Sequence, residues 1–170
     1  GLGQSDLLKG YYENRNLKVE LNYEDGRLNG LWRTYYENGQ LQSEGNYKDG
    51  EPNGLFRTYY ENGQLSVQAY YITEYYEETD GRVRRVGVGG VRDSLWTAYH
   101  ENGQLQKEIN YKFGKLDGPY KDYYKNGQLF KEWNFKDGKP DGIWRGYSKS
   151  GILYMEGKYE DNKRVYKKCW

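Results

Sequence analysis

The chain contains one cysteine, one histidine and almost no net charge, and each shortage closes off a class of function. Cys169 stands alone, so no internal disulfide can form. His100 and Cys169 together fall short of the several His or Cys ligands that hold zinc. They also lack the third, orienting group that a nucleophile–base pair needs. No metal, cofactor or catalytic residue is expected, and His100 reads as an aromatic substitute for a repeated tyrosine. Lys plus Arg number 26 against 25 Asp plus Glu. That lacks the cationic excess with which proteins bind nucleic acid or anionic membranes, so neither is an expected partner. No apolar run approaches the roughly 20 residues that cross a bilayer. Gly87-Val88-Gly89-Gly90 precedes no expected helix, so it is no phosphate loop. The Asp-Gly pairs lack the alternating Asp/Asn ligands of a calcium loop.

Mean hydropathy is −1.19, a value that disordered chains share. Disordered chains, however, are poor in aromatics, whereas 18% of this chain is aromatic and 21 residues are tyrosine. Tyrosine buries a large ring while keeping its hydroxyl wet. A chain rich in tyrosine and poor in leucine suits a thin sheet better than a thick apolar core.

What is present is a repeat. YYENGQLQSEGNYKDG runs from Tyr35 to Gly50, with close copies from Tyr59, Tyr99 and Tyr123 and weaker ones from Tyr11 and Tyr147. Successive starts lie 24 residues apart except between Tyr59 and Tyr99, where the gap is 40. A fixed period of this size marks a repeat architecture. The expected organisation is a short lead over 1–9, then one repeat domain over 10–170. That domain has six units, and the third carries a 16-residue insertion at about 72–92.

Each unit holds Asn-Gly between two alternating segments, as at Asn38-Gly39 and Asn126-Gly127. Both residue types tolerate the positive φ of a tight hairpin turn. Asp-Gly recurs between units, as at Asp25-Gly26, Asp49-Gly50 and Asp137-Gly138. The fold class is therefore all-β: an antiparallel sheet of tandem β-hairpins. A two-residue loop at Asn38-Gly39 sets Glu37 opposite Gln40, Tyr36 opposite Leu41, Arg33 opposite Glu44 and Trp32 opposite Gly45. A three-residue loop with a bulge is the alternative. The same register sets Lys121 against Glu132 and Arg145 against Glu156, and such charge pairs stabilise neighbouring strands. Glu44, Glu108, Glu132 and Glu156 thus read as partners of basic residues. One face collects Trp32, Thr34, Tyr36, Leu41 and Tyr47; the other collects Arg33, Tyr35, Glu37, Gln42, Glu44 and Asn46. Trp32, Phe56, Trp96, Tyr120 and Trp144 form one column, and the leucines Leu17, Leu41, Leu65, Leu105, Leu129 and Leu153 another.

The pattern from Gly30-Leu31-Trp32 through Tyr35-Tyr36-Glu37-Asn38-Gly39-Gln40-Leu41 to Tyr47-Lys48-Asp49-Gly50 resembles the MORN-variant repeat, a bacterial relative of the MORN repeat. The likeness extends from about Gly10 to Tyr166. This chain departs from the pattern at Arg15, His100, Phe113 and the insertion. The resemblance implies an elongated, twisted antiparallel sheet of tandem hairpins and no enzyme. Many such proteins carry an antitoxin label, and classical MORN repeats are associated with scaffolding and with acidic lipids.

The insertion has its own turn at Asp80-Gly81. Pairing outward sets Thr79 against Arg82, Glu77 against Arg84 and Tyr76 against Arg85. A regular repeat explains itself by stacking, whereas an irregular element requires another reason. The candidate partner-binding residues are therefore Tyr75, Tyr76, Arg82, Arg84 and Arg85, of types enriched at binding hot spots. The function expected is a non-catalytic protein-interaction or scaffold module, compatible with membership of a larger complex. The alternative is glycan or cell-wall binding through the aromatic rows. Two origins fit the GLGQS start: a tag remnant, or the residues left by signal-peptide cleavage. The second sets the expectation of a secreted or cell-envelope protein, with the cytoplasm as alternative.

Overall fold

The computed structural model describes residues 5–170, and of residues 75–79 and 83–88 it describes the backbone alone. Every regular element described is a β-strand. In chain order they are β1 (Ser5–Tyr11), β2 (Leu17–Glu24), β3 (Arg27–Tyr35), β4 (Leu41–Lys48), β5 (Glu51–Pro52), β6 (Gly54–Tyr59), β7 (Leu65–Thr79) and β8 (Arg82–Tyr99). Then follow β9 (Leu105–Lys112), β10 (Lys115–Tyr123), β11 (Leu129–Lys136), β12 (Lys139–Pro140), β13 (Gly142–Tyr147), β14 (Leu153–Glu160) and β15 (Lys163–Cys169). Neighbours in the sheet follow chain order, with the two-residue β5 and β12 added to β4 and β11. The chain divides into two compact units, Gly1–Val91 and Arg92–Trp170. The all-β reading and the tandem antiparallel hairpins therefore stand. β1 pairs with β2 from Ser5 onward, so part of the expected lead lies in the sheet. β15 pairs with β14, one strand beyond the sixth hairpin.

The two kinds of turn exchange the roles that the sequence assigned them. At the Asn-Gly turns, the Tyr36 amide donates to the Gln40 carbonyl and the Gly39 amide to the Tyr36 carbonyl. That is a three-residue loop, the alternative register. Only Gly39 adopts positive φ, at 86°, and Asn38 does not. Asn38 acts instead through its side chain, whose Oδ1 accepts the Gln40 amide at 2.9 Å. Tyr36 therefore faces Gln40, and Leu41 stands opposite Tyr35 rather than Tyr36. One residue further on, Gln42 bulges out, and Thr34 pairs with Ser43. This second irregularity cancels the first, so Arg33 meets Glu44, Lys121 meets Glu132 and Arg145 meets Glu156 as expected. The two-residue turns with both φ angles positive are the Asp-Gly ones, with 49° and 78° at Asp25-Gly26 and 53° and 70° at Asp80-Gly81, together with Phe113-Gly114 and Asp161-Asn162.

A third recurrent irregularity sits in the first strand of every hairpin after the first. Gly30, Gly54, Gly118 and Gly142 take positive φ there, and in the fourth hairpin Ser94 holds the same position at 61°. The opposing Asn22 and Asn110 close the gap by donating to the Leu31 and Pro119 carbonyls.

No described side chain is wholly enclosed, as befits a sheet whose packing partners are its own neighbouring strands. Ala69, Ala98, Ile109 and Trp144 are the buried apolar residues.

Candidate interaction surfaces

Alternation along each strand produces two chemically different faces. In the first unit the aromatic face gathers Trp32, Tyr47, Phe56 and Tyr71, with ring centroids 5.2–6.3 Å apart. Edge-to-face packing of this kind adds about 0.5–1.5 kcal/mol per pair beyond area burial. In the second unit Trp133 stacks on Trp144 at 5.2 Å and 12°. Trp144 also lies over Gly157, where a Cβ would come within 2.4 Å of the indole Nε1. The ring is thus sandwiched and only 7% exposed. Of the column, Trp32, Phe56, Tyr120 and Trp144 lie against neighbouring rings; Trp144 is buried and the others are half-buried.

The same face also carries charge: Arg92 lies over the Trp96 and Tyr111 rings, and a cluster centres on Asp122. Asp122 sits between Lys107 at 3.3 Å and Lys131 at 3.0 Å, and both ammonium groups approach the Tyr120 ring. Hydrogen bonding to Tyr120, together with the charge of Asp122, raises the Lys107 pKa.

The opposite face is a charge row running across the strands. In the first unit the registers align Lys9, Glu20, Arg33, Glu44, Arg57 and Gln68 on successive strands. In the second they align Thr97, Glu108, Lys121, Glu132, Arg145, Glu156 and Lys168. Sign alternates at every step, and each unit has one uncharged position, Gln68 or Thr97. A tyrosine reinforces most of the carboxylates: Tyr35 donates to Glu20 at 2.7 Å, Tyr59 to Glu44 at 3.0 Å, Tyr123 to Glu108 at 2.5 Å and Tyr147 to Glu132 at 2.8 Å. The Tyr35 hydrogen bond, followed by that from Lys9, holds Glu20 below its ordinary pKa. Arg145 does the same for Glu156. Burial, then the bond to Glu108, pushes the Tyr123 hydroxyl well up.

The Asn-Gly turns stack along one margin of each unit. Tyr12 donates to the Tyr35 carbonyl, Tyr36 to that of Tyr59 and Tyr124 to that of Tyr147. His100 takes the same place, with Nε2 3.4 Å from the Tyr123 carbonyl oxygen. It therefore does the work of the tyrosine it replaces. Cys169 is exposed on β15. Among the described residues no group of three or more His, Cys, Asp and Glu side chains is placed to hold a metal ion.

Of the candidate partner-binding residues, Arg82 is exposed just after the Asp80-Gly81 turn. The side chains of Tyr75, Tyr76, Arg84 and Arg85 lie outside the described residues, as do the pairings expected between them. The backbone shows the insertion as a lengthening of two strands: β7 has 15 residues and β8 has 18, against 8 or 9 in β2, β3, β4 and β9.

One property of the surface escaped the sequence reading. Residues 1–91 carry ten Lys and Arg against fourteen Asp and Glu, and residues 92–170 carry sixteen against eleven. The near-zero total conceals a unit of −4 and a unit of +5. The unit boundary is the signal that would have exposed this, because charge has to be counted per folded body.

A sequence model of the MORN repeat variant matches residues 28–49, 52–73, 92–113, 116–137 and 140–161. Neighbouring copies are separated by two residues, except that eighteen lie between 73 and 92, which reproduces the 16-residue excess. The hairpin from Ser5 to Glu24 precedes the first match yet forms the same pairing. No curated protein matches the chain in sequence. With five matched copies spread over most of its length, the chain belongs to the MORN repeat variant family.

Proposed function

We propose that this protein is a non-catalytic interaction module whose repeats form the scaffold and whose lengthened β7–β8 hairpin selects a protein partner. The observation that carries the reading is the break in regularity. Twenty-four-residue units repeat the same ladders, turns and bulges, and one element exceeds what the repeat requires. Repeat scaffolds commonly place binding on insertions along one face. The side-chain networks support the scaffold role, since each carboxylate of the charge row already has a basic or tyrosine partner and is committed to holding neighbouring strands together.

Glycan binding through the aromatic column asks for free ring faces. Trp144 is instead buried between Trp133 and Gly157, which favours the protein-partner reading.

The test is a shortened chain in which residues 73–91 are replaced by Asp-Gly-Lys, the sequence of the regular turn at Asp137-Gly138-Lys139. That restores the 24-residue spacing. Partners captured on the full chain from its source cells are compared with those captured on the shortened one, at matched thermal stability. Loss of the protein partner by the shortened chain is expected. Full retention would move the site to the regular faces, and capture of a glycan or lipid alone would overturn the reading.

A further inference from the structure

We propose that this chain associates with copies of itself, the acidic Asn-Gly turns in the first unit of one copy docking on the cationic Asn-Gly turns in the second unit of another. Such association is separate from partner selection by the lengthened hairpin. The unit charges do not reside in the charge row. In the second unit the row cancels itself, with Lys121, Arg145 and Lys168 against Glu108, Glu132 and Glu156. In the first it sets three cations, Lys9, Arg33 and Arg57, against Glu20 and Glu44. The surplus of +5 in one unit and −4 in the other therefore lies off the row.

Part of both surpluses stands at the Asn-Gly turns. One repeat position there holds Glu13, Glu37 and Glu61 in the first unit, and Glu101, Lys125 and Lys149 in the second. What the stacked turns use at this position is the carbonyl. That of Glu37 accepts Nδ2 of Asn14 and Asn16, that of Lys125 accepts Asn102, and that of Lys149 accepts Asn126. The side chains of Glu13, Glu37, Glu61, Lys125 and Lys149 are exposed, and none of the five makes an ion pair among the described residues. Holding the turns together thus fixes where these side chains emerge but leaves their sign open.

The cationic row also has a shape. Lys125 and Lys149 line a groove of about 440 Å³ whose other walls are His100, Tyr123, Tyr124 and Asn126, with no carboxylate among them. The groove at the Asp-Gly turns of the same unit, by contrast, sets Asp137, Asp141 and Asp161 among its lysines. An acidic side chain entering beside Lys125 and Lys149 meets only cationic, aromatic and amide groups.

The chain's own first unit carries the fitting partner. Both rows are built on the same hairpin, so their members stand two strands apart, roughly 10 Å, in each. Two neighbouring glutamates of one copy therefore reach Lys125 and Lys149 of another together. Each row has one member of the other sign, Arg15 and Glu101, and the surplus stays acidic in the first and cationic in the second. Two acidic rows, or two cationic ones, repel, so the pairing that charge admits is first unit to second. Turn tips bury less than the roughly 1,000 Å² of a stable interface, which makes the contact weak and dependent on salt.

Sedimentation velocity on the full chain, at low salt and up to about 1 mM protein, is the test. Mass above the monomer is expected at the upper concentrations, and its loss as salt rises to about 0.5 M. Lys125→Glu with Lys149→Glu should weaken association about tenfold, and so should Glu13→Lys with Glu37→Lys and Glu61→Lys. One chain carrying all five reversals should recover it, because its rows are again complementary. The variants are compared at matched thermal stability. A chain that stays monomeric at low salt, association indifferent to the reversals, or no recovery in the fivefold variant would overturn the proposal. So would a monomeric chain whose lysine groove instead binds an oligoglutamate peptide, since the groove would then belong to a foreign acidic segment. None of these results bears on partner capture by the β7–β8 hairpin, so each reading can fail alone.

Discussion

Gly157→Ala is the substitution that most sharply tests how the sheet holds together without a second layer. A Cβ built there falls 2.4, 2.5 and 2.7 Å from Nε1, Cε2 and Cζ2 of Trp144. Real Cβ atoms do not approach that closely, and the obstacle is a rigid ring rather than a flexible chain end. The indole has to lift. Forcing atoms into a packed site costs about 1–3 kcal/mol. Lifting also loosens the stack on Trp133 at 5.2 Å, worth about 0.5–1.5 kcal/mol beyond area. Together the expected loss is about 2–4 kcal/mol, a fall of roughly 5–15 °C in Tm for a chain of this size. Urea unfolding followed by circular dichroism measures it. The control is a double-mutant cycle with Trp144→Leu, whose smaller side chain leaves room above position 157. In that background Gly157→Ala should cost little, giving a coupling well above about 0.5 kcal/mol. Equal costs in the two backgrounds would refute the packing argument.

Other expectations follow from the turns, the bulge and the charge row. Gly127 takes φ of 82° with Gln104 Oε1 3.0 Å from its would-be Cβ, so Gly127→Val should cost about 1–3 kcal/mol and Gln128→Val under about 0.5, both by thermal melts. Ser94 at φ 61° occupies a position that is glycine in four other hairpins, and Ser94→Gly should stabilise by about 0.5–1 kcal/mol in the same assay. Glu20 and Glu156 have lowered pKa values in the folded chain. The unfolded chain therefore binds protons more readily, and their contribution is present above the ordinary carboxylate value and lost as pH falls through the lowered one. Melting temperature should drop from about pH 4.5 downward, and Glu20→Gln together with Glu156→Gln should flatten that drop.

Much of the fold was legible because its signals are periodic. The spacing of Tyr35, Tyr59, Tyr99 and Tyr123 gave the units, and alternation around Trp32 and Arg33 gave the two faces. The turn geometry was less legible, because Asn-Gly satisfies two loop types and composition does not choose between them. The choice is made by Asn38, whose side chain caps the Gln40 amide and leaves positive φ to Gly39 alone. Trp144 was placed in the correct column, but its sandwich between Trp133 and Gly157 depends on which ring tilts over which glycine. That is decided by packing across strands, beyond the reach of a linear pattern. Phe113 shows the same limit: it holds the positive φ that aspartate holds in the other turns, at 50°, while its amide donates to Asp93 Oδ1 at 3.0 Å. The Asp137 amide makes the equivalent bond to Asp117 Oδ2 at 3.2 Å one repeat on, so the bond belongs to the turn, and the linear pattern does not show it. The insertion was legible as a departure from the repeat, but the charge row that alternates across the strands appears only once the registers are known.

The most direct test of the account is hydrogen exchange on the full chain with its captured protein partner bound. The account predicts that new protection falls on residues 72–92 and leaves the amides of the charge row, already slowed by strand pairing, unchanged. Protection spread along the regular strands, with none in the lengthened hairpin, would contradict it.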